Sequence, residues 1–241
     1  MEKQRLSAQS LVERFCTAST NQIPLSAAPA FLFASSMMAW GMDILNFGTT
    51  AASVLRGERG PVLVLPGFMT GDDSTATLRQ FVHREGYTVY PWHHGTNAGP
   101  NNGIIQHLEN LLESIYQRED QKVHLIGWSM GGIFAQEMRR KLPHMVKSVI
   151  TLGSPHDALP GEEKIPVPVT SLYTQGDTVV QDWKDCIYPG HPHLDVGGSH
   201  GDLVKNPKAF QAISWALAQN DARPAPAQAQ ARQSLNQCQC I

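Results

Sequence analysis

From Gly60 onward, short apolar runs alternate with segments that repeat apolar residues at helical spacing, and this alternation constrains the fold more than any other feature. The apolar runs predict strands at 61–66, 87–90, 123–126, 146–152, 167–173 and 193–196. Helical spacing falls at 75–84, 104–115, 131–142 and 209–218. Strands that alternate with helices form βαβ units, in which the strands run parallel. The sequence therefore predicts an α/β fold with a mostly parallel sheet of about six strands flanked by helices.

The chain of 241 residues divides into three parts by composition. Residues 1–58 are rich in Ser, Thr, Ala and Met and are predicted to form an apolar, partly helical N-terminal segment, in which Asp43 is the only Asp, Glu, Lys or Arg between Phe15 and Leu55. Residues 59–220 hold every predicted strand and are long enough to bury one core. Residues 221–241 are rich in Ala, Pro and Gln with little apolar bulk, and are predicted to be disordered.

The charge balance and the N-terminal sequence exclude several classes of protein. The chain has 19 Lys and Arg against 21 Asp and Glu, which argues against a nucleic-acid partner. The apolar run at 30–42 is shorter than the roughly 20 residues of a membrane-spanning helix. The first 14 residues carry both charge signs, unlike a secretory signal, so a cytoplasmic location is expected. The charge-poor stretch 15–55 leaves peripheral contact with a membrane as an open interpretation.

The cysteines and histidines give no reason to expect a metal or another cofactor. The four cysteines are too few for a disulfide framework and include no C-x-x-C pair: Cys16, Cys186, Cys238 and Cys240. The segment from His191 to Asp195 has the spacing H-x-H-x-D, which resembles a fragment of a metal site. Alternating residues on a strand produce the same pattern, and a metal ion needs at least three convergent ligands.

The pentapeptide from Gly127 to Gly131, GWSMG, matches the pattern G-x-S-x-G. The match alone is weakly specific, but it follows the predicted strand 123–126 directly and opens the predicted helix 131–142. A nucleophile elbow requires this strand–turn–helix setting, because the sharp turn lifts the serine hydroxyl above the sheet. We therefore predict that Ser129 is a catalytic nucleophile; a tight turn with an incidental serine is the plain alternative.

A serine hydroxyl is a weak nucleophile at neutral pH, so it needs a base, and the base needs an orienting acid. The acid is expected at the exit of a later strand, and the base in the loop before the last helix. Asp177 is the first carboxylate after the predicted strand 167–173 and is the predicted acid, with Asp182 and Asp185 as alternatives. His200 lies in a glycine-flanked loop before the last helix and is the predicted base.

Acyl transfer also needs N–H donors for the negative charge that develops on the carbonyl oxygen. One donor is expected from the residue after the nucleophile, Met130, and the other from the loop after the first strand. In that loop Gly67 allows a tight turn, so the N–H of Phe68 is the predicted second donor. An ordinary glycine turn is the alternative.

Large apolar side chains and a histidine at the strand ends are the predicted substrate-binding residues: Met69, Trp92, Trp128 and His156. His93 and His94 also lie at a strand end, but they precede the acid in sequence and are better candidates for lining than for the base. Simple core packing is the alternative for the aromatic residues.

Six motifs together resemble the α/β-hydrolase superfamily, in its compact bacterial lipase and esterase branch. They are LPGF (65–68), GTNAGP (95–100), LIGWSMGGIFAQE (125–137), VITLGSPH (149–156), TSLYTQGDTVV (170–180) and GGSHGDLVKNP (197–207). The resemblance implies that residues 59–220 are a catalytic domain with Ser129, Asp177 and His200 as its triad, Phe68 and Met130 as oxyanion donors, and no cofactor. One departure is Pro66-Gly67 where His-Gly is common; the backbone donor survives this change, but the histidine side chain is lost.

Many members of this superfamily insert a helical cap between the fourth strand and the acid strand. Only residues 156–166 separate those strands here, so no cap domain is expected. The apolar residues of 15–55 would then bury over the mouth of the site, with a bilayer surface as the rival location.

The leading hypothesis is a serine carboxylic-ester hydrolase that forms an acyl-enzyme on a small-molecule or lipid ester. An acyltransferase or thioesterase is the alternative within the same superfamily, because the fold fixes the machinery rather than the substrate. A non-catalytic binding protein of the same fold is a remote alternative, since such proteins usually lose a triad member.

Overall fold

Six strands form one sheet in which every neighbouring pair runs parallel. They are β1 (Arg59–Leu65), β2 (Tyr87–Tyr90), β3 (Val123–Trp128), β4 (Val146–Leu152), β5 (Val169–Tyr173) and β6 (His193–Asp195). Their spatial order is β2-β1-β3-β4-β5-β6. Parallel neighbours need crossover connections, and α-helices supply those that join β1 to β2, β2 to β3 and β3 to β4. The predicted α/β fold with a six-stranded sheet is confirmed.

In the described part of the chain, four α-helices flank the sheet. They are α1 (Ala76–Arg84), α2 (Asn102–Glu119), α3 (Met130–Lys141) and α4 (Pro207–Asp221). Short 3₁₀ helices lie in the loops at Asp72–Thr75, Trp183–Cys186 and His200–Val204. The described residues include no cap domain.

The computed structural model describes residues 54–156 and 164–222. The predictions for the N-terminal apolar run 30–42, for the charge-poor stretch up to residue 53 and for the tail beyond Ala222 lie outside the described residues. Three of the four cysteines lie there too, and Cys186 is buried. Among the described helices, none is long and apolar enough to cross a membrane.

Both faces of the sheet are covered, and β1 shows why its sequence is a continuous apolar run. Leu63 and Leu65 face a cluster that includes residues of α2 and α3, whereas Val62 and Val64 face a cluster with residues of α1 and α4. Successive side chains of a strand point to opposite faces, so a strand buried on both sides is apolar throughout.

Element ends differ from the sequence-based boundaries by a few residues, for local reasons. Helix α2 begins at residue 102 rather than 104, because the Asn101 side chain caps it by accepting a hydrogen bond from the Ile104 N–H. Strand β5 begins at Val169 rather than Val167, since Pro168 has no N–H to donate to a neighbouring strand.

The parallel arrangement brings the carboxyl ends of the strands to one edge of the sheet. The residues that follow β1, β3, β4 and β5 at this edge are Pro66, Ser129, Gly153 and Thr174. Functional groups of open parallel sheets gather at this edge, because the connecting loops of neighbouring strands meet there.

Candidate active site

Ser129 occupies the turn between β3 and α3 with a strained backbone. Its φ is 54° and its ψ is −123°, a sparsely populated combination that costs on the order of 1–3 kcal/mol for a residue with a side chain. Two hydrogen bonds hold it: the Ser129 N–H donates to the Leu152 carbonyl at 2.8 Å, and the Gly132 N–H donates to the Ser129 carbonyl at 3.0 Å. The turn therefore presents the serine at the carboxyl edge of the sheet.

The glycines around this turn allow α3 to begin in contact with the ends of two strands. A Cβ on Gly131 would lie 2.3 Å from the Leu65 carbonyl oxygen, and a Cβ on Gly127 would lie 2.4 Å from the Gly131 carbonyl carbon. Only glycine fits at such distances, so the G-x-S-x-G pattern reflects the close approach of strand and helix.

Asp177 and His200 form a hydrogen-bonded pair. The distance from Asp177 Oδ2 to His200 Nδ1 is 2.6 Å, and the two side chains are only 1% and 8% exposed. The other carboxylate oxygen, Oδ1, accepts the N–H groups of Val179 at 2.8 Å and Val180 at 2.9 Å. Burial by itself raises the pKa of Asp177, but the hydrogen bond and charge of His200, together with these two N–H groups, outweigh it and lower the pKa. The acid is therefore held as a carboxylate facing the imidazole.

The two alternative acids have other partners. The Asp182 side chain caps the 3₁₀ helix Trp183–Cys186 by accepting the Lys184 N–H at 3.0 Å. Asp185 lies inside that helix and donates its N–H to the Asp182 carbonyl. Of the three carboxylates suggested by the sequence, it is Asp177 that contacts His200.

The pair and the serine meet at the end of β4. Gly153 has a φ of 56°, and a Cβ on it would lie 3.1 Å from His200 Nδ1 and 3.2 Å from Asp177 Oδ2. The preceding residue, Leu152, is the one whose carbonyl accepts the Ser129 N–H. The Trp128 indole N–H also donates to the His200 carbonyl at 3.1 Å. Among the described residues Ser129 Oγ has no hydrogen bond to His200, a contact that often tightens only when substrate binds.

Two backbone N–H groups beside Ser129 are free to donate. The amides of Phe68 and Met130 have no acceptor among residues 54–156 and 164–222. Met130 is the first residue of α3, where an amide has no intrahelical partner. Gly67, the neighbour of Phe68, lies close enough that a Cβ on it would be 3.3 Å from Ser129 Cβ. Both amides predicted from the sequence as oxyanion donors therefore flank the serine.

The four predicted substrate-binding residues have different environments. Met69 is 64% exposed, whereas Trp92 is fully buried in the core and donates its indole N–H to the Gly95 carbonyl. Trp128 is partly buried between Gly67 and the His200 loop. The His156 ring packs 4.9 Å from the Tyr188 ring, measured between centroids. Trp92 therefore packs in the core, which was the alternative interpretation for the aromatic residues. Of the four residues, Met69 presents the largest exposed apolar side chain.

Thr174, for which the sequence motifs predict no role, joins the turn that carries Asp177 to the loop that carries His200. Its hydroxyl donates to the Gly198 carbonyl at 2.7 Å and accepts the Gly176 N–H at 3.1 Å. The residue is 1% exposed. A hydroxyl residue directly after the acid strand was the only signal for it in the sequence.

A cavity of about 500 Å³ lies at the opposite edge of the sheet. It is lined by residues at the start of β5, by the segment 190–192 and by the C-terminal half of α4, and it contains neither the Asp177–His200 pair nor Ser129. In the described part of the chain, no three His, Cys, Asp or Glu side chains lie close enough to hold a metal ion. His191, from the H-x-H-x-D segment, accepts the Val169 N–H through Nδ1.

Comparisons with known proteins agree with this architecture. The model of the alpha/beta hydrolase fold family matches residues 111–232, about half of the chain. No curated protein matches the chain in sequence. Among solved structures, the chain is similar to one described with the metagenome-derived lipolytic enzymes LipS and LipT, with a TM-score of 0.56 and 17% identity over 73% of this chain and 99% of that one.

Two further solved structures are also similar. The monoacylglycerol lipase of Paleococcus ferrophilus has a TM-score of 0.51 and 13% identity, over 68% of this chain and 94% of that one. The esterase Pf2001 of Pyrococcus furiosus has a TM-score of 0.52 and 14% identity, over 69% and 91%. At these identities the likeness concerns the fold.

Proposed function

The chain belongs to the α/β-hydrolase fold family, and on that premise we propose that it is a serine carboxylic-ester hydrolase, an esterase or lipase. The observation that carries the proposal is the buried Asp177–His200 pair at 2.6 Å beside a serine on a strained strand-to-helix turn. An acid that orients a histidine next to such a serine is the arrangement that activates a hydroxyl for attack on a carbonyl. The lipolytic, lipase and esterase descriptions of the similar structures support the same class.

In the proposed reaction, Ser129 Oγ attacks the ester carbonyl carbon while His200 Nε2 takes the hydroxyl proton. The negative charge that forms on the carbonyl oxygen is bound by the N–H groups of Phe68 and Met130. His200 then gives the proton to the leaving alcohol as the carbon–oxygen bond breaks, which leaves an acyl-enzyme. Water repeats the cycle, with His200 as base, and releases the acid and free Ser129. Asp177 keeps the imidazole in the tautomer that has its proton on Nδ1 and stabilises the imidazolium.

Exposed apolar surface near the site favours an ester with an apolar acyl or alcohol group. Met69 directly follows the oxyanion donor Phe68 and is the most exposed of the large apolar side chains described. A thioether side chain adapts its shape to irregular apolar partners. A series of p-nitrophenyl esters of increasing acyl length, together with emulsified triglyceride, would distinguish an esterase from a lipase.

The test of the proposal compares wild-type enzyme with Ser129→Ala. We expect wild type to hydrolyse p-nitrophenyl esters and the variant to lose at least about 10³-fold in kcat, because the nucleophile is gone. A fluorophosphonate probe should label wild type at Ser129, located by peptide mass mapping, and should not label the variant. Full ester turnover by a folded Ser129→Ala protein would refute the assignment.

A further inference from the structure

Asn97 is a fully buried polar residue in a loop whose neighbours are exposed. It lies in the segment GTNAGP, where Thr96 and Ala98 on either side are exposed to solvent while Asn97 has no exposed surface. Burying an amide side chain is costly unless its hydrogen-bonding groups are satisfied. Its contacts therefore indicate what the buried amide does.

Among the described residues, every hydrogen bond from Asn97 to another part of the chain is made to residues 66–70, the loop that carries the Phe68 amide. Its side-chain Nδ2 donates to the Pro66 carbonyl at 2.9 Å. Its backbone carbonyl accepts the Met69 N–H at 2.7 Å, and its backbone N–H donates to the Thr70 carbonyl at 2.8 Å. The side-chain Oδ1 accepts the Gly99 N–H at 3.2 Å, which fixes the orientation of the amide within its own loop.

These contacts fix the peptide groups on both sides of the one that bears the Phe68 N–H. The peptide before it is held through the Pro66 carbonyl, and the peptide after it through the Met69 N–H. The Gly67 carbonyl, which belongs to the same peptide as the Phe68 N–H, accepts the Thr70 hydroxyl at 2.8 Å. A trans peptide is planar, so holding its carbonyl on one side directs its N–H to the other. The Phe68 N–H therefore has no acceptor among the described residues, and the neighbouring peptide groups set its direction.

We propose that Asn97 is a positioning residue for the oxyanion donor: it holds the loop 66–70 so that the Phe68 N–H points at the oxygen of the reacting carbonyl. The proposal rests on the proposed ester hydrolysis, in which that N–H binds the developing negative charge. Such a donor is already in place before the reaction begins. A small displacement therefore weakens binding of the transition state more than binding of the substrate.

The loop that carries Asn97 is also anchored independently of it. The Asp72 carboxylate accepts the N–H of Trp92 at 3.0 Å and that of His93 at 3.2 Å, and the Trp92 indole N–H donates to the Gly95 carbonyl at 2.9 Å. Substituting Asn97 should therefore loosen the loop 66–70 without displacing the rest of the loop that carries Asn97.

The test uses Asn97→Asp, which keeps the size and the acceptor for the Gly99 N–H but replaces the donor to Pro66 with an oxygen. We expect kcat for a p-nitrophenyl ester to fall by about 10- to 100-fold while KM changes less than about threefold. The inhibition constant of a trifluoromethyl ketone, whose adduct with Ser129 carries an oxyanion, should rise in parallel with the loss of kcat/KM. A merely structural defect would lower the fraction of enzyme that a fluorophosphonate labels, but would leave the kinetics of the labelled fraction unchanged.

Asn101→Asp is the matched control, since it makes the same substitution in the same loop. The Asn101 side chain accepts the Ile104 N–H at 2.9 Å as the cap of α2, and aspartate caps a helix as well as asparagine. Its kcat and inhibition constant should stay within twofold of wild type. If Asn97→Asp does not fold, Thr70→Val tests the same proposal, because it removes the hydroxyl that holds the Gly67 carbonyl and should give a smaller loss of the same kind.

The outcomes separate this proposal from the one on which it rests. A wild-type enzyme with no ester turnover and no label on Ser129 would refute the proposed function, and this assignment with it. If wild type is active, and kcat and the inhibition constant of Asn97→Asp both stay within twofold of the wild-type values, the role of Asn97 alone is refuted. A loss of kcat/KM that comes from a higher KM alone, with unchanged affinity for the trifluoromethyl ketone, would also overturn it.

Discussion

At the residue scale, the hydrogen bond from Asp177 to His200 is the contact that most sharply distinguishes the proposed acid from its alternatives. Asp177→Asn replaces the carboxylate with an amide, which no longer stabilises the imidazolium and can favour the wrong tautomer. We expect kcat for p-nitrophenyl esters to fall by about 10³- to 10⁴-fold. Steady-state kinetics with one soluble ester measure the effect.

Asp182→Asn is the control for that measurement. Asp182 caps a 3₁₀ helix through the Lys184 N–H, and asparagine serves as a cap equally well. Its kcat should stay within about threefold of wild type, because the asparagine retains the hydrogen bond that caps the helix. Equal losses in the two variants would remove the distinction between the carboxylates.

At the same scale, Trp128, next to the proposed nucleophile, contacts the loops that carry His200 and Phe68. Its indole N–H donates to the His200 carbonyl, and its ring lies 3.1 Å from where a Cβ on Gly67 would be. The side chain thus contacts the base loop and the oxyanion loop together. It supports the two loops from the side, and its contact with substrate stays a prediction.

At the scale of elements, the start of α4 is tied to the loop that carries the base. The Asn206 side chain caps α4 by accepting the Lys208 N–H at 2.9 Å. Its Nδ2 donates to the carbonyls of Val196 at 3.1 Å and Gly197 at 2.9 Å, in the loop that leads into His200. One side chain therefore sets both where the helix begins and where the base loop leaves the sheet.

Asn206→Asp separates these two roles, because aspartate retains the cap and loses the donor. We expect the free energy of unfolding to fall by about 1–2 kcal/mol, since two partly buried carbonyls lose their donor. We also expect kcat to fall while the helical content stays unchanged. Urea unfolding followed by circular dichroism, together with ester kinetics, measures both; wild-type behaviour of Asn206→Asp would mean that the cap alone matters.

At the scale of the whole molecule, the last residue of α4 joins the helix to three strands. Asp221 accepts hydrogen bonds from Tyr87 on β2, His124 on β3 and Lys147 on β4. An ion pair with Arg59 at 3.2 Å adds β1. The network lies at the edge of the sheet opposite the candidate active site. It therefore stabilises the packing of α4 on the sheet and takes no part in the proposed reaction.

This network makes stability depend on pH. Burial lowers the pKa of His124, and the hydrogen bonds from His124, Lys147 and Tyr87 outweigh the effect of burial to hold the pKa of Asp221 well below its usual value. Both groups therefore bind fewer protons in the folded protein than in the unfolded chain. Unfolding takes up protons, so acid favours the unfolded state.

We expect the free energy of unfolding to be level between about pH 7 and pH 8 and to fall as the pH drops below 6.5, the ordinary pKa of histidine, and again below 3.8, that of aspartate. His124→Gln should flatten the first decline, because glutamine does not titrate. Urea unfolding at a series of pH values measures both curves. An unchanged slope between pH 7 and pH 5 in the variant would contradict this assignment.

Much of the fold and the order of the candidate site residues follows from local sequence. Apolar runs and helical spacing each extend over a few residues, and glycine turns act on their immediate neighbours, so the alternation from 61 to 218 was sufficient to predict the parallel sheet. A parallel sheet in turn places strand ends at one edge. Ser129, Asp177 and His200 were assigned from their positions relative to predicted strands, and the structure brings these positions to one edge.

Contacts between residues that are distant in sequence were decided only by the tertiary structure. The sequence gives no sign that Trp92 is buried in the core while Met69 is exposed, because both follow strands and both are large and apolar. The bond from Asn97 to Pro66 and the network around Asp221 join separate elements, so they depend on how helices and loops pack. Local periodicity determines which elements form and in what order. Only packing in three dimensions decides which buried polar groups find partners and which amides remain free.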